Sequence, residues 1–260
     1  FMLGNLGDFE PGDAIDLGSI EATSIDAWAL ERFEAMSREV LAAYERYEFR
    51  VAHAALYTFC NDTMSAIYLA AIKDRLYCDK PDNARRRRTQ TVVHRIADGF
   101  CRLLAPILPH TADEGFRALH RVPADDCDTC VHLETVLQDT GIAADPRWAK
   151  VMEQRDRALA AIEKARGPAA EGGMDIDNPL DAGVTLPNAE GLLDGFDTGD
   201  LADLLGVSLV EIGSADAGIS VTDRREEPRC ERSWKRDGTV RERGDGGLLS
   251  DRDAEAVGAA

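Results

Sequence analysis

The sequence predicts a mainly α protein: an antiparallel helical bundle, then a small α+β module, then an irregular tail. Three observations carry this. Apolar residues recur at spacings of three and four through most of the first 120 positions, as one buried helix face requires. Short β-like runs appear only later, at Val184–Leu186, Val207–Ile212 and Ile219–Val221. From Asp223 the chain is polar and rich in Arg and Gly, so little core of its own is expected there.

The elements follow in order. Residues 1–22 hold five acids, no Lys or Arg, and several Gly and Pro, which reads as a loop. Thr23 or Ser24 can cap a helix whose stripe is Ala29, Phe33, Met36, Val40, Tyr44 and Tyr47. A second stripe runs from Ala52 to Leu76, with Asn61-Asp62 as a kink or a new cap. A third uses Val92, Val93, Ile96, Ala97, Phe100, Cys101 and Leu104, and Pro106 and Pro109 should end it. Thr111 to Glu114 reads as a capping box for a short helix reaching Leu119. Residues 121–146 look like a loop, and Trp148 to Arg166 like one more long helix stopped by Gly167-Pro168. Leu201–Leu205 between the β-like runs can be a helix.

Composition narrows the function classes. The chain has 260 residues, 48 acidic and 30 basic, for a formal charge of −18. Apolar runs of about seven residues are too short for a membrane helix, which needs roughly 20. With 25 Arg against 5 Lys and 29 Asp against 19 Glu, a salt-adapted or high-GC source is expected. Six cysteines in this length are no disulfide scaffold, so a reducing, cytoplasmic setting is expected. The start at Phe1, inside an apolar stretch, suggests a piece of a longer protein. No phosphate-binding glycine loop, zinc-protease motif or nucleophile elbow occurs, and no catalytic residue is assigned. The five histidines are scattered and read as ordinary surface or core residues. Cys127-x-x-Cys130 is half a metal motif without its other half.

Charge is unevenly placed. Residues 1–48 carry a net −8, whereas residues 73–102 carry a net +5. Arg85, Arg86, Arg87 and Arg88 sit near a helix start, where cations oppose the helix dipole and call for anions. The run either meets phosphates, or is answered by neighbouring Asp79, Asp82 and Asp98, or is a solvated face.

Taken in order, several short runs resemble the C-terminal part of bacterial isoleucyl-tRNA synthetase, a class I enzyme. They are FMLGNL at 1–6 with Asp8-Phe9, DAWAL at 26–30, AYERYEF at 43–49, Phe59-Cys60, KDRLY at 73–77, RRTQT at 87–91, APILP at 105–109, TADE at 111–114 and VHL at 131–133. Their order and spacing are similar to the helical anticodon-binding domain shared by the Ile, Val, Leu and Met enzymes. NPLDA at 178–182, VTL at 184–186, LADLL at 201–205 and Val207-Ser208 are similar to the small domain that follows it in the Ile enzyme. The resemblance implies a connecting loop at 1–22 from an upstream catalytic domain, a helical anticodon-binding domain at 23–135, a connecting helix at 136–169, an α+β module at 170–222 and a zinc-finger-like tail at 223–260.

The tail bears on the choice among relatives. RCERSW at 229–234 and LSDRD at 249–253 resemble the two halves of a four-Cys zinc finger, which the valyl enzyme is not expected to have. The matching ligand positions are Cys230, Ser233, Ser250 and Asp253, so three of four thiolates are gone. Serine is a poor zinc ligand, so zinc is expected to be lost and the small motif loosely ordered. The resemblance implies that the whole enzyme joins isoleucine to tRNA(Ile) using ATP and Mg²⁺ in its catalytic domain. Neither adenylate-forming signature occurs in this chain. This portion should need no cofactor, bind tRNA(Ile) as a monomer and have no membrane partner. A free-standing tRNA- or protein-binding module and a valyl-tRNA synthetase fragment are the alternatives. The expected RNA-facing residues are Lys73, Arg75, Arg85, Arg86, Arg87, Arg88, Arg232, Trp234 and Lys235.

Overall fold

The computed structural model describes residues 1–244 and 247–259; positions 245, 246 and 260 of the expected tail lie outside the described residues. Three short 3-10 turns in residues 3–19 precede helix α1 (Ile25–Glu45). Next come α2 (Phe49–Thr58), a π-helical stretch (Phe59–Tyr68), α3 (Leu69–Ala71), α4 (Lys73–Cys78), α5 (Ala84–Leu104), α6 (Pro109–Leu119) and α7 (Trp148–Arg166). The remainder is β1 (Ala182–Pro187), α8 (Thr198–Leu205), β2 (Leu209–Gly213), β3 (Ser220–Asp223), β4 (Arg241–Glu242), β5 (Leu248–Leu249) and α9 (Asp251–Val257). The chain divides into two units. One comprises residues 1–22, 26–66 and 82–143, the other residues 23–25, 67–81 and 144–260.

The first unit is helical. Asp26 of α1 meets Arg88 and Thr89 early in α5, and Tyr44 donates to the Leu103 carbonyl near its end, 2.7 Å away. The two helices therefore run parallel. The segment starting with α2 returns between them, stacking Phe59 on Phe100 and tilting it against Phe33. α6 then packs on α5, closing a cluster of Ala105, Ala112, Phe116 and Val131. A Cβ added at Gly99 would lie 2.5 Å from Phe33 Cζ and 3.2 Å from Leu137 Cδ1. Gly99→Ala should therefore overpack this core and cost about 1–3 kcal/mol. Urea denaturation checks it, and an unchanged midpoint would contradict the packing.

Three local expectations are corrected. Tyr47 is not on the α1 stripe: the helix ends at Glu45, and Tyr47 lies at φ 58°, 82% exposed. Tyr47 N–H donates to the Tyr44 carbonyl and Glu48 N–H to the Ala43 carbonyl, the paired bonds of a Schellman stop. The box at Thr111–Glu114 does not cap α6. Pro109 begins that helix, where its missing N–H costs nothing, and Asp113 instead accepts from Val131 N–H at 2.9 Å. Asn61-Asp62 do not cap a new helix; the chain passes through them as π-helix.

The second unit is built on a three-stranded sheet of order β2-β1-β3. β1 pairs with β2 in parallel, with α8 in the connection, and with β3 antiparallel. α7 packs on this module, where Trp148 meets Phe196 edge-on at 5.2 Å. Asp197 caps α8 at its start, and Gly206 at φ 69° ends it. The tail does have a core: Cys230, Val240, Leu249 and Ala254 are buried together behind the β4–β5 ladder and α9. No helix among the described residues is long and apolar enough to cross a membrane.

Candidate nucleic-acid interface

The arginine run lies in the first unit, and Asn83 caps its helix by accepting from Arg85 and Arg86 N–H. The anions that answer it include protein acids beyond those named from the sequence. Arg86 pairs with Asp8 at 2.7 Å, Arg87 with Asp13 at 3.5 Å, and Arg88 with buried Asp26 at 2.7 Å. Asp98 bonds Arg102 and His120 instead. The acid-rich segment at the start of the chain thus neutralises the start of α5. Arg85 is half-buried.

In the second unit two expected RNA-facing residues are interior, which is a correction. Arg75 has no exposure and donates to Asp200 at 2.8 Å and Asp203 at 3.0 Å. Lys235 is buried and lies 2.6 Å from Asp203 and 3.2 Å from Asp74. A charge leaves water only when paired, and these carboxylates supply the pairing. Burial opposes the Lys235 charge, yet Asp203 and Asp74 outweigh it and raise its pKa. Burial likewise opposes the Asp74 carboxylate, and bonds from Arg252 and the charge of Lys235 hold its pKa well below the usual range.

Four sequence-assigned residues do converge. Lys73, Arg232, Trp234 and Lys235 line one groove of about 400 Å³ in this unit, together with Tyr77. Lys73 and Tyr77 are exposed on α4, and Trp234 is 54% exposed. Trp234 adopts φ 63°, uncommon outside glycine, with the Arg229 guanidinium 5.4 Å from its ring centre. Arg232 turns inward, donating to the carbonyls of Tyr77 and Cys78 and pairing with Asp253 at 3.0 Å. The groove therefore offers two aromatic faces rimmed by cations, the pairing that takes up unstacked bases. Tyr77 was missed from the sequence. Its signal was position: within KDRLY it falls on the polar side of a stripe whose buried members are Ile72 and Leu76.

The four positions that the resemblance aligns with zinc ligands also meet. Asp253 Oδ2 accepts from Cys230 Sγ at 3.2 Å, Ser233 Oγ at 2.7 Å and Ser250 Oγ at 2.8 Å. Cys127 and Cys130 join no such group, and no cluster of three His, Cys, Asp or Glu fit to hold a metal occurs among the described residues.

Residues 26–180 match the family model for the anticodon-binding domain of tRNA ligase, and the chain belongs to that family. Its relatives specify which ligase it resembles. It is 33% identical to an isoleucine–tRNA ligase of Desulfotalea psychrophila over 92% of this chain and 27% of that protein. Against one from Desulfitobacterium hafniense it is 34% identical over 99% of this chain and 29% of the relative. Against one from Carboxydothermus hydrogenoformans the figures are 37%, 75% and 20%. The chain thus spans less than a third of the length of the curated relatives it matches.

Proposed function

We propose that the chain is the C-terminal, anticodon-recognising portion of an isoleucine–tRNA ligase. It holds tRNA(Ile) while a catalytic domain elsewhere in the enzyme joins isoleucine to the tRNA with ATP and Mg²⁺. The family match over residues 26–180 carries this reading, and the Tyr77–Trp234 groove supplies matching chemistry. Anticodon bases are single-stranded and can splay onto aromatic faces, while cations such as Lys73 and Arg229 contact phosphates for position. The reading takes the protein to be cytoplasmic and monomeric.

The test is titration of labelled tRNA(Ile) with this chain across a salt series. Binding should weaken with salt, with a log–log slope of about −2 to −4 if about three to five phosphates are neutralised. Changing the anticodon bases should weaken binding, and changing the acceptor stem should not. Equal affinity for every anticodon, or no binding, would overturn the reading.

A further inference from the structure

The family resemblance implies a tetrahedral metal centre at Cys230, Ser233, Ser250 and Asp253. The residues present do not fit one. Zinc wants four N, S or O donors that surrender lone pairs to it. Here one thiol, two hydroxyls and one carboxylate remain, and the first three turn their hydrogens toward Asp253 Oδ2. Two fixed cations also lie against that carboxylate: Arg252 Nη2 at 3.1 Å from Oδ2 and Arg232 Nη1 at 3.0 Å from Oδ1. A dication at this point would face both guanidiniums.

We propose that Asp253 is a charge-inverted replacement for the metal: an anion at the centre, with donors and cations around it, that closes the C-terminal module without any ion. The geometry supports this at each side. The Asp253 side chain is fully shielded from solvent, as are Cys230 and Ser250. Ser250 caps α9 by accepting from Asp253 N–H, which fixes the backbone carrying the carboxylate. Cys230 and Ser233 come from the turn about 20 residues earlier, so three hydroxyl or thiol hydrogens tie two chain segments to one oxygen. The two arginines extend the tie to α4. Arg252 reaches Asp74 and, at 3.4 Å, Asp79, while Arg232 holds the Tyr77 and Cys78 carbonyls. A metal ion would have bound the four ligands alone; the carboxylate, through its two arginines, also secures the helix that presents Tyr77.

The experiment is site-resolved alkylation of the cysteines in the native chain, read by mass spectrometry with and without a strong zinc chelator. Cys230, fully buried, reports the module, and Cys101 reports the first unit. In the unaltered protein the chelator should leave Cys230 protection unchanged. Asp253→Asn removes the central charge and should speed Cys230 alkylation by about tenfold or more, with Cys101 unchanged. The reverse variant, Ser233→Cys/Ser250→Cys/Asp253→Cys, should bind one zinc per chain and become chelator-sensitive. Stoichiometric zinc in the unaltered protein, chelator-induced loss of protection, an inert Asp253→Asn, equal exposure of Cys101, or a triple variant that takes up no zinc would each overturn the proposal. No RNA enters the assay, so its outcome is independent of the tRNA reading.

Discussion

Replacing Arg75 with methionine is expected to destabilise the second unit by about 3–5 kcal/mol, the usual cost of removing one partner from a buried ion pair. Methionine keeps much of the side-chain volume, so the loss is electrostatic. Asp200, 4% exposed, would lose the Arg75 bond, whereas Asp203 keeps Lys235 at 2.6 Å. Arg75→Lys should recover much of the loss, because both carboxylates are bonded by one nitrogen, Nη2, and an ammonium has three donors to offer the same two acceptors. Urea unfolding followed at Trp148, with Trp28 and Trp234 changed to phenylalanine, reads the second unit. A cost below about 1 kcal/mol would mean the network is not what holds this unit. Arg75 is buried, so any weakening of RNA binding should track unfolding.

Trp234→Ala should weaken tRNA binding by roughly 5- to 150-fold, the equivalent of about 1–3 kcal/mol for one stacked base. Alanine, like tryptophan, must adopt the left-handed backbone at this position, so the comparison isolates the ring. Trp234→Phe should retain part of the affinity. The salt slope should not change, because an indole neutralises no phosphate. Lys73→Ala should behave in the opposite way, with a smaller loss of affinity and a slope reduced by about one. Filter binding at several salt concentrations separates the two. If Trp234→Ala left affinity unchanged, the groove would not be the place where bases are held.

What was legible in the sequence was periodicity. The stripes of α1, α5 and α7 have one apolar face each, and the β-like runs at 184–186, 207–212 and 219–221 have no competing helical pattern. What was not legible was pairing across distance. Charge counting put Arg75 and Lys235 on a basic surface, because their partners Asp200, Asp203 and Asp74 are near them only once folded. One local sign existed: Arg75 follows Ile72 by three residues and Tyr68 by seven, on a face whose other members are buried. A cation on an apolar stripe is a candidate for burial with partners. The same distance problem hid the answer to the Arg86–Arg88 run, which lies in Asp8, Asp13 and Asp26. In the tail, the resemblance supplied the four positions, but only geometry shows the donors of Cys230, Ser233 and Ser250 turned inward to the Asp253 carboxylate.

The interleaving of the two units has a consequence for how the protein is made. Residues 67–81 belong with residues 144–260, although residues 82–143 come between them. Arg75 is synthesised 125 residues before Asp200. At about 5–20 residues per second, that carboxylate follows by roughly 6–25 s. During that interval the first unit has all of its own chain before the second has its charge partners. A nascent chain must therefore keep the α4 arginine in water and bury it only when the C-terminal third arrives. No single cut in the chain separates the units, so a shortened gene ending near residue 143 would leave α4 without the strands and carboxylates that complete it.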